Sequence, residues 1–581
     1  MTPDRDGIMV DAPPRSRRPD RAAAWGSRQN GAADDGGLGA GLPGPGHAEK
    51  EKVETRGGLI PRAWGCMTKG ADIAAGAAGD RIDALQYLRA AAALMVLAYH
   101  TSHYVAYYRL PPGPIELAEA RLGVWGVALF FALSGYLMAR LAPATPPGRF
   151  LLHRVARIYP PYLLTVAGFS LLSPLILGYA FAPRFLPATL APAGPAGYVL
   201  GVEWTLVYEV TFYVFIFLVA AAGGARLLPA IAGGWLALVA AWNALAGPPG
   251  DYETPFIYTL PVSPANVAFI CGLMVPALLR RLRVHPAWLA VAAALLAAEL
   301  AGLLPQERFV ASVASAVTVA ALAGLPRGRG GLASRIGLRL GDASYALYLT
   351  HVPVVTAVLR WLPEAAPAPL AWLAAFAAAV AAGLISGAAD VRAYRALRRR
   401  VDALRERAAL RLAAAFAIFF LAVAAACAAA HLLDERRMKR AMTALGVITP
   451  ALLAAPDPVG AVNAALAAEG RQFLQPAQAL DGAARMPDGR VAARGWTVDL
   501  AAPEARTWIA VYCDGVRSGW VRRSQLRRDA AAALNAPDLG KLRPGYTATT
   551  AATGCPAGAQ LVLVAADGRG RARALAATPA P

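Results

Sequence analysis

Apolar runs of about 20 residues recur along this chain, and each is long enough to cross a hydrocarbon core of about 30 Å as a helix. Eleven such runs stand out, at 84–105, 122–141, 159–179, 200–222, 227–247, 258–279, 286–304, 308–325, 343–362, 369–389 and 411–433. Composition agrees: of 581 residues, 57% are hydrophobic and only 16% charged, against about 25% charged in soluble domains. The expected class is a polytopic α-helical membrane protein, a ten-helix core plus an eleventh span.

The formal net charge of +20 would point to nucleic acid on a soluble protein, but no nucleic-acid-binding module accompanies it. The arginines fall between the apolar runs. "RFLLHRVARIY", "RRLRVH", "PRGRGGLASRIGLR" and "RAYRALRRRVDALRER" follow the second, sixth, eighth and tenth spans. All four ends lie on one side, the side of the N-terminus, and the excess of arginine makes that side the cytoplasm. An odd number of spans then carries the C-terminal tail outside. The expected location is the cytoplasmic (inner) membrane.

The flanks differ from the core. Residues 1–80 are rich in Gly, Ala, Pro, Asp and Arg without periodicity, lack the layout of a signal peptide, and are expected to be disordered. Met67 is the expected true start. After the core at 81–390 come a basic cytoplasmic loop at 391–410, the eleventh span, and an alanine-rich, helical or linker-like segment at 434–480. From 481 to 581 the pattern turns strand-like. "RVAARGWTVDL", "TWIAVYCDG" and "AQLVLVAADGRG" alternate or run apolar, and two end at Asp-Gly turns. A small extracytoplasmic β-sandwich-like domain fits, and that compartment permits a disulfide between Cys513 and Cys555. Cys271 and Cys427 sit in apolar spans and read as packing residues. No cysteine spacing of a metal site occurs, and no metal is expected.

Ionisable groups inside spans mark function by default. Arg89, His100, Glu209 and His351 stand out; Glu299 lies near the end of its span. Arg89 and His100 are eleven residues apart, about three turns plus 20°, so they share a helix face with a rise of about 16 Å between them. By themselves they are equally an arginine reaching for the interface and a histidine capping the helix. Glu209 needs a partner inside the bundle. Tyr345, Tyr348 and His351 follow one another at intervals of three on one polar stripe. Arg154 and Arg157 are topology signals that also have the spacing of a phosphate clamp.

At these residues the chain resembles membrane acyltransferase family 3, which O-acylates surface polysaccharides and other hydroxyl acceptors. "DALQYLRAAAALMVLAYHTS", "GVWGVALFFALSGYLMAR", "RFLLHRVARIYPPYLL", "WTLVYEVTFYVF" and "SYALYLTHVP" occur in the family's order over about 82–390. The family's arginine–histidine motif matches Arg89 and His100. Its Phe-Phe-x-x-Ser-Gly segment matches Phe130, Phe131, Ser134 and Gly135, and its Arg-x-x-Arg pair matches Arg154 and Arg157. The tryptophan-led segment matches Trp204, Glu209, Phe212 and Tyr213, and the last motif matches Ser344, Tyr345, Tyr348 and His351. Many members carry two adjacent acids where this chain has Glu209 and Val210, and "WTLVYE" is more similar to the exopolysaccharide-acetylating branch.

The resemblance implies an acetyl-CoA-dependent (or other acyl-CoA-dependent) O-acetyltransferase. In it His100 and Glu209 would be catalytic, and Arg89, Arg154 and Arg157 would hold the donor. Ser134, Trp204, Tyr345, Tyr348 and His351 would line the acceptor side. The implied partners are a glycan or lipid-linked glycan acceptor, membrane lipids, and glycan-assembly proteins at the C-terminal domain, whose tail lacks the Gly-Asp-Ser motif of fused hydrolase domains. The rival reading is a transporter or flippase for a lipid-linked glycan; no inverted repeat of the kind such proteins use is visible.

Overall fold

In the computed structural model of the chain the described residues are 83–581, apart from 110–113, 178–183, 196–197, 248–251, 283, 305–306, 324–330, 364–365, 487–489, 524–529, 531–533, 535–543 and 551–554. The expected disordered segment 1–80, with Cys66 and Met67, lies outside the described residues.

Each apolar run coincides with a helix. These are α1 (Asp83–Arg109), α2 (Pro114–Leu141), α3 (Pro147–Leu177), α4 (Glu203–Ala221), α5 (Leu228–Ala246), α6 (Val267–Leu279), α7 (Trp288–Leu300), α8 (Glu307–Ala323), α9 (Leu332–Trp361), α10 (Ala368–Asp402) and α11 (Glu406–Ala444). Helices satisfy their own backbone groups, which a bilayer demands. Six stretches among the described residues are long and apolar enough to cross a membrane: Arg121–Ala144, Pro147–Ile176, Glu203–Ala221, Gly224–Ala246, Ala368–Asp402 and Glu406–Val447. The chain is an integral membrane protein. Six of the eleven helices thus meet that measure of length and apolarity, and the rest are shorter or carry more charge. The run at 258–279 shows why: Pro261 and Pro264 stand at the starts of two short 3-10 turns, and the helix begins only at Val267.

Small residues set the close crossings that shape the centre of the bundle. A Cβ on Gly135 would stand 2.1 Å from the Phe269 carbonyl oxygen, and one on Gly272 2.1 Å from that of Ala132. The backbones of α2 and α6 therefore touch. Beside that crossing Phe212 stacks on Phe269 at 3.9 Å and meets Phe131 edge-on at 5.5 Å, which fixes Phe131 as a wall. Glu299 is buried on α7 and accepts a hydrogen bond from the Trp125 indole at 2.5 Å; it belongs to the scaffold. Cys271 and Cys427 are free and half-buried.

One expected connection is helical instead. The segment read as a basic loop, 391–410, is the end of α10, a turn at 403–405, and the start of α11. No Gly or Pro interrupts it, and alanine and arginine favour helix. The turn is tied to the start of α3, where His153 Nε2 lies 2.9 Å from the Asp402 carboxylate and Arg149 donates to the Leu404 carbonyl at 2.9 Å. The segment read as helical or linker-like, 434–480, holds the last three turns of α11, a short helix Pro450–Leu453, α12 (Pro458–Ala468), capped by the Asp457 carboxylate, and the first residues of β1.

The C-terminal strands are β1 (Pro476–Arg485), β2 (Val491–Asp499), β3 (Thr507–Cys513), β4 (Val516–Arg522), β5 (Gly545–Thr549), β6 (Gln560–Asp567) and β7 (Ala572–Pro579). They form two antiparallel sheets, in the orders β1-β2-β5 and β4-β3-β6-β7. Val491, Ala493, Ile509, Val511, Leu561 and Leu563 share the core between them. Asp514 (φ 45°) and Gly515 (φ 79°) make the two-residue turn that joins β3 to β4, the left-handed backbone that Asp-Gly favours in a tight hairpin. Cys513 and Cys555 are disulfide-bonded in this core.

β3 is buried along its whole length because both of its faces are covered. Its odd positions look into the sandwich. Trp508, Ala510 and Tyr512 pack on Ala441, Ala444 and Leu445 at the far end of α11. α11 has 39 residues, about 58 Å, so it outlasts a core of about 30 Å and serves as the seat of the β domain. Asp434 on α11 pairs with Arg506 at 2.5 Å and Arg522 at 2.8 Å.

Candidate active site

α1 presents Arg89 and His100 on one face, as the spacing implies, and both are half-buried. Between α1, α2, α4 and α9 lies a cavity of about 70 Å³ whose walls include Arg89, Phe130, Phe131, Thr205, Glu209, Tyr345 and Tyr348. Arg89 and Glu209 mark its charged end. His100 lies beyond its other end, two ring contacts away: Tyr348 to His351 at 5.7 Å between centroids, then His351 to His100 at 4.8 Å.

The charged end is a cluster of three arginines with the carboxylates of Glu209, Asp390 and Asp342. Glu209 accepts a hydrogen bond from the Tyr213 hydroxyl, and the charges acting on it are those of Arg89, Arg154 and Arg157. Glu209 is therefore the counter-charge of the arginines and is not the orienting partner of His100. Arg157 is not a free clamp either. It pairs with Asp390 at 2.7 Å, between the rings of Tyr345 and Tyr394 at 5.1 and 5.3 Å. Arg154 differs: its guanidinium lies 5.9 Å from the Tyr213 ring, and its Nε is buried without a hydrogen-bond partner. That is a cation with bonding capacity left over, which suits an anionic ligand. Asp390 escaped the sequence reading, although a lone acid in "GLISGAADV" is the same kind of signal as Glu209.

At the other end the two histidines bond to backbone carbonyls and to each other. His100 Nδ1 lies 3.0 Å from the Val96 carbonyl oxygen, and His351 Nδ1 lies 3.2 Å from that of Leu347, each one turn back on its own helix. A carbonyl only accepts, so Nδ1 carries the proton in both rings and both Nε2 atoms are bare. His351 Nε2 then accepts from His100 Nδ1 at 3.2 Å. This chain of bonds fixes the ring and leaves His100 Nε2 with a lone pair that no described residue takes up.

The tyrosines line the cavity with their rings, while their hydroxyls are committed. Tyr345 donates to the Ile158 carbonyl at 2.8 Å, and the Tyr348 hydroxyl contacts Thr205 Oγ1 at 2.5 Å and the Val202 carbonyl at 3.1 Å. Ser134 lies beside the Tyr213 hydroxyl at the charged end. Trp204 is not in the cavity wall. It meets Tyr208 and Tyr252 edge-on at 6.1 and 5.6 Å. Glu203, also missed, is fully buried and accepts the backbone N–H groups of Val199 and Leu200 at 2.8 Å each, fixing the first turn of α4. Among the described residues no group of His, Cys, Asp and Glu could hold a metal ion.

Residues 82–387, more than half of the chain, match a family model described as an acyltransferase domain. The exopolysaccharide production protein ExoZ of Rhizobium meliloti (strain 1021) is 31% identical over 315 residues, which are 50% of this chain and 94% of that protein. No solved structure matches the chain.

Proposed function

The chain belongs to membrane acyltransferase family 3, and from that premise we propose that it moves an acetyl group from acetyl-CoA in the cytoplasm to a hydroxyl of an exported polysaccharide. One observation carries the reading. His100, with its Nε2 unpaired, and Arg89, at the edge of the arginine cluster, stand on one face of α1 about 16 Å apart, and a cavity runs from Arg89 to the ring of Tyr348, which leads through His351 to His100. Arg89 and Arg154 suit the phosphates of the donor, and the pantetheine arm lies along the cavity toward His100. The arginine-rich ends of the second and tenth spans flank the same cluster, which supports its cytoplasmic side. The β domain then stands outside.

The acceptor hydroxyl oxygen attacks the thioester carbonyl carbon while His100 Nε2 takes the hydroxyl proton. The C–O bond forms, the C–S bond breaks, and the leaving CoA sulfur recovers the proton from the imidazolium. His351 acts through His100: its Nε2 and the Val96 carbonyl share the Nδ1–H, which holds the ring and steadies the positive charge. His351 is thus a positioning residue.

Purified protein given radiolabelled acetyl-CoA and an oligosaccharide should label the oligosaccharide, and the His100→Ala protein should insert normally, bind the donor and transfer nothing. Normal transfer by that variant rejects the mechanism. Label that stays on the wild-type protein without acceptor, and not on His100→Ala, would identify an acyl-histidine intermediate.

A further inference from the structure

Beyond the cavity wall lies a second polar assembly that the transfer chemistry leaves unused. Arg308, at the start of α8, stacks on the Tyr252 ring with its guanidinium carbon 3.7 Å from the centroid and 6.0 Å from that of Trp204. The surround is rigid. Trp204 is fixed by the Glu203 turn, and the Tyr208 hydroxyl donates to the Tyr252 carbonyl at 3.1 Å. A smaller cavity touches Arg308 and Ser312 on one side and Val127 and Phe131 on the other, and those last two residues also line the first cavity. The assembly therefore adjoins the site from outside its wall. It lies at the end of the bundle that carries the β domain: Phe256, four residues from Tyr252, stacks on His431 of α11 at 4.1 Å, and Asp434 one turn on binds the β domain.

A guanidinium lying flat on a ring spends its face on the contact and keeps its N–H groups in the plane, free to fork onto an anion. Arg308 is half-buried and meets no carboxylate and no hydrogen-bond acceptor among the described residues. A cation held in place by two aromatic rings beside the cavity wall has the make-up of an anion hook. We infer that Trp204, Tyr252 and Arg308 form the acceptor subsite, and that the acceptor it takes is a glycan bearing an anionic oxygen group. Resting on the acyltransferase reading, this names the substrate class. A uronate or ketal carboxylate on the sugar and the phosphate of a lipid-linked glycan present the same chemistry.

The test is direct binding to the full-length protein in nanodiscs, with three probes: a hexuronate tetrasaccharide, a neutral tetrasaccharide, and the neutral tetrasaccharide with a reducing-end diphosphate. Wild type should bind at least one anionic probe roughly ten- to a hundredfold more tightly than the neutral one, and whichever is favoured identifies the source of the charge. Arg308→Ala should erase that preference, Arg308→Lys should keep part of it, and acyl-CoA binding should stay as in wild type for both. Equal affinity for all three probes, or a preference that survives Arg308→Ala, overturns the subsite. Arg308-dependent binding without acyl transfer by wild type leaves the subsite standing and rejects the acyltransferase reading instead.

Discussion

The two ends of the central cavity are built from opposite materials. At one end three arginines face three carboxylates, and the buried Nε of Arg154 has no hydrogen-bond partner among the described residues. At the other, two imidazoles and two backbone carbonyls satisfy one another and leave a single lone pair that no described residue takes up. A cation with bonding capacity left over is what a site needs to hold an anion that arrives and leaves. A neutral, fully oriented ring is what it needs to move one proton. In the proposed mechanism the difference separates binding from chemistry along one helix face, and each of the following substitutions asks whether the separation is real.

The largest effect should come from His100→Ala, with transfer falling by at least about 10²–10⁴-fold, the range for loss of a positioned acid–base group. Donor affinity should be unchanged. A parallel loss of acyl-CoA binding would mean that the two ends are one. Next is Arg157→Ala, which leaves Asp390 buried and unpaired and should lower stability by about 3–5 kcal/mol; thermal unfolding in detergent reads this. Arg157→Ala combined with Asp390→Ala should regain most of the loss. A double variant no better than the single one would remove Arg157 from the scaffold and return it to the donor site. Arg154→Ala should raise the KM for acyl-CoA roughly ten- to a hundredfold with little change in kcat. A fall in kcat at constant KM would contradict its assignment to binding. The smallest effect is expected for His351→Ala, about tenfold in kcat at unchanged KM, because the ring of His100 loses its partner but keeps the Val96 carbonyl. His351→Gln, whose side-chain oxygen also accepts, should recover activity. Failure to do so would point to a direct role for His351.

The helices were legible because apolar runs and their breaks are local facts. The Asp514–Gly515 hairpin was legible for the same reason, and the sandwich strands at 490–500, 507–515 and 559–570 fall on β2, β3 and β6. The placing of Arg89 and His100 on one face followed from helical geometry alone. What stayed hidden depends on which helices meet. Nothing in "WTLVYEV" says that Glu209 faces α1 near Arg89 rather than near His100, and nothing in "SYALYLTH" says that His351 meets His100, 251 residues away. Arg157 and Asp390 are likewise 233 residues apart. The long extension of α11 was underestimated because arginine-rich, polar sequence beyond an apolar run reads as the end of a helix. In water and against a β domain such sequence continues the helix instead.

Because α11 does not break where it leaves the membrane, the β domain is mounted on a lever. The helix is about 58 Å long, and the domain is fastened to its far end by apolar packing and by the paired Asp434. Tilting the span by about 10°, well within the range that bilayer thickness imposes on helices, swings that end sideways by about 10 Å. His431, on the same helix, stacks on the ring of Phe256. The position of a folded domain at that end of the bundle is thereby tied to the tilt of a single helix.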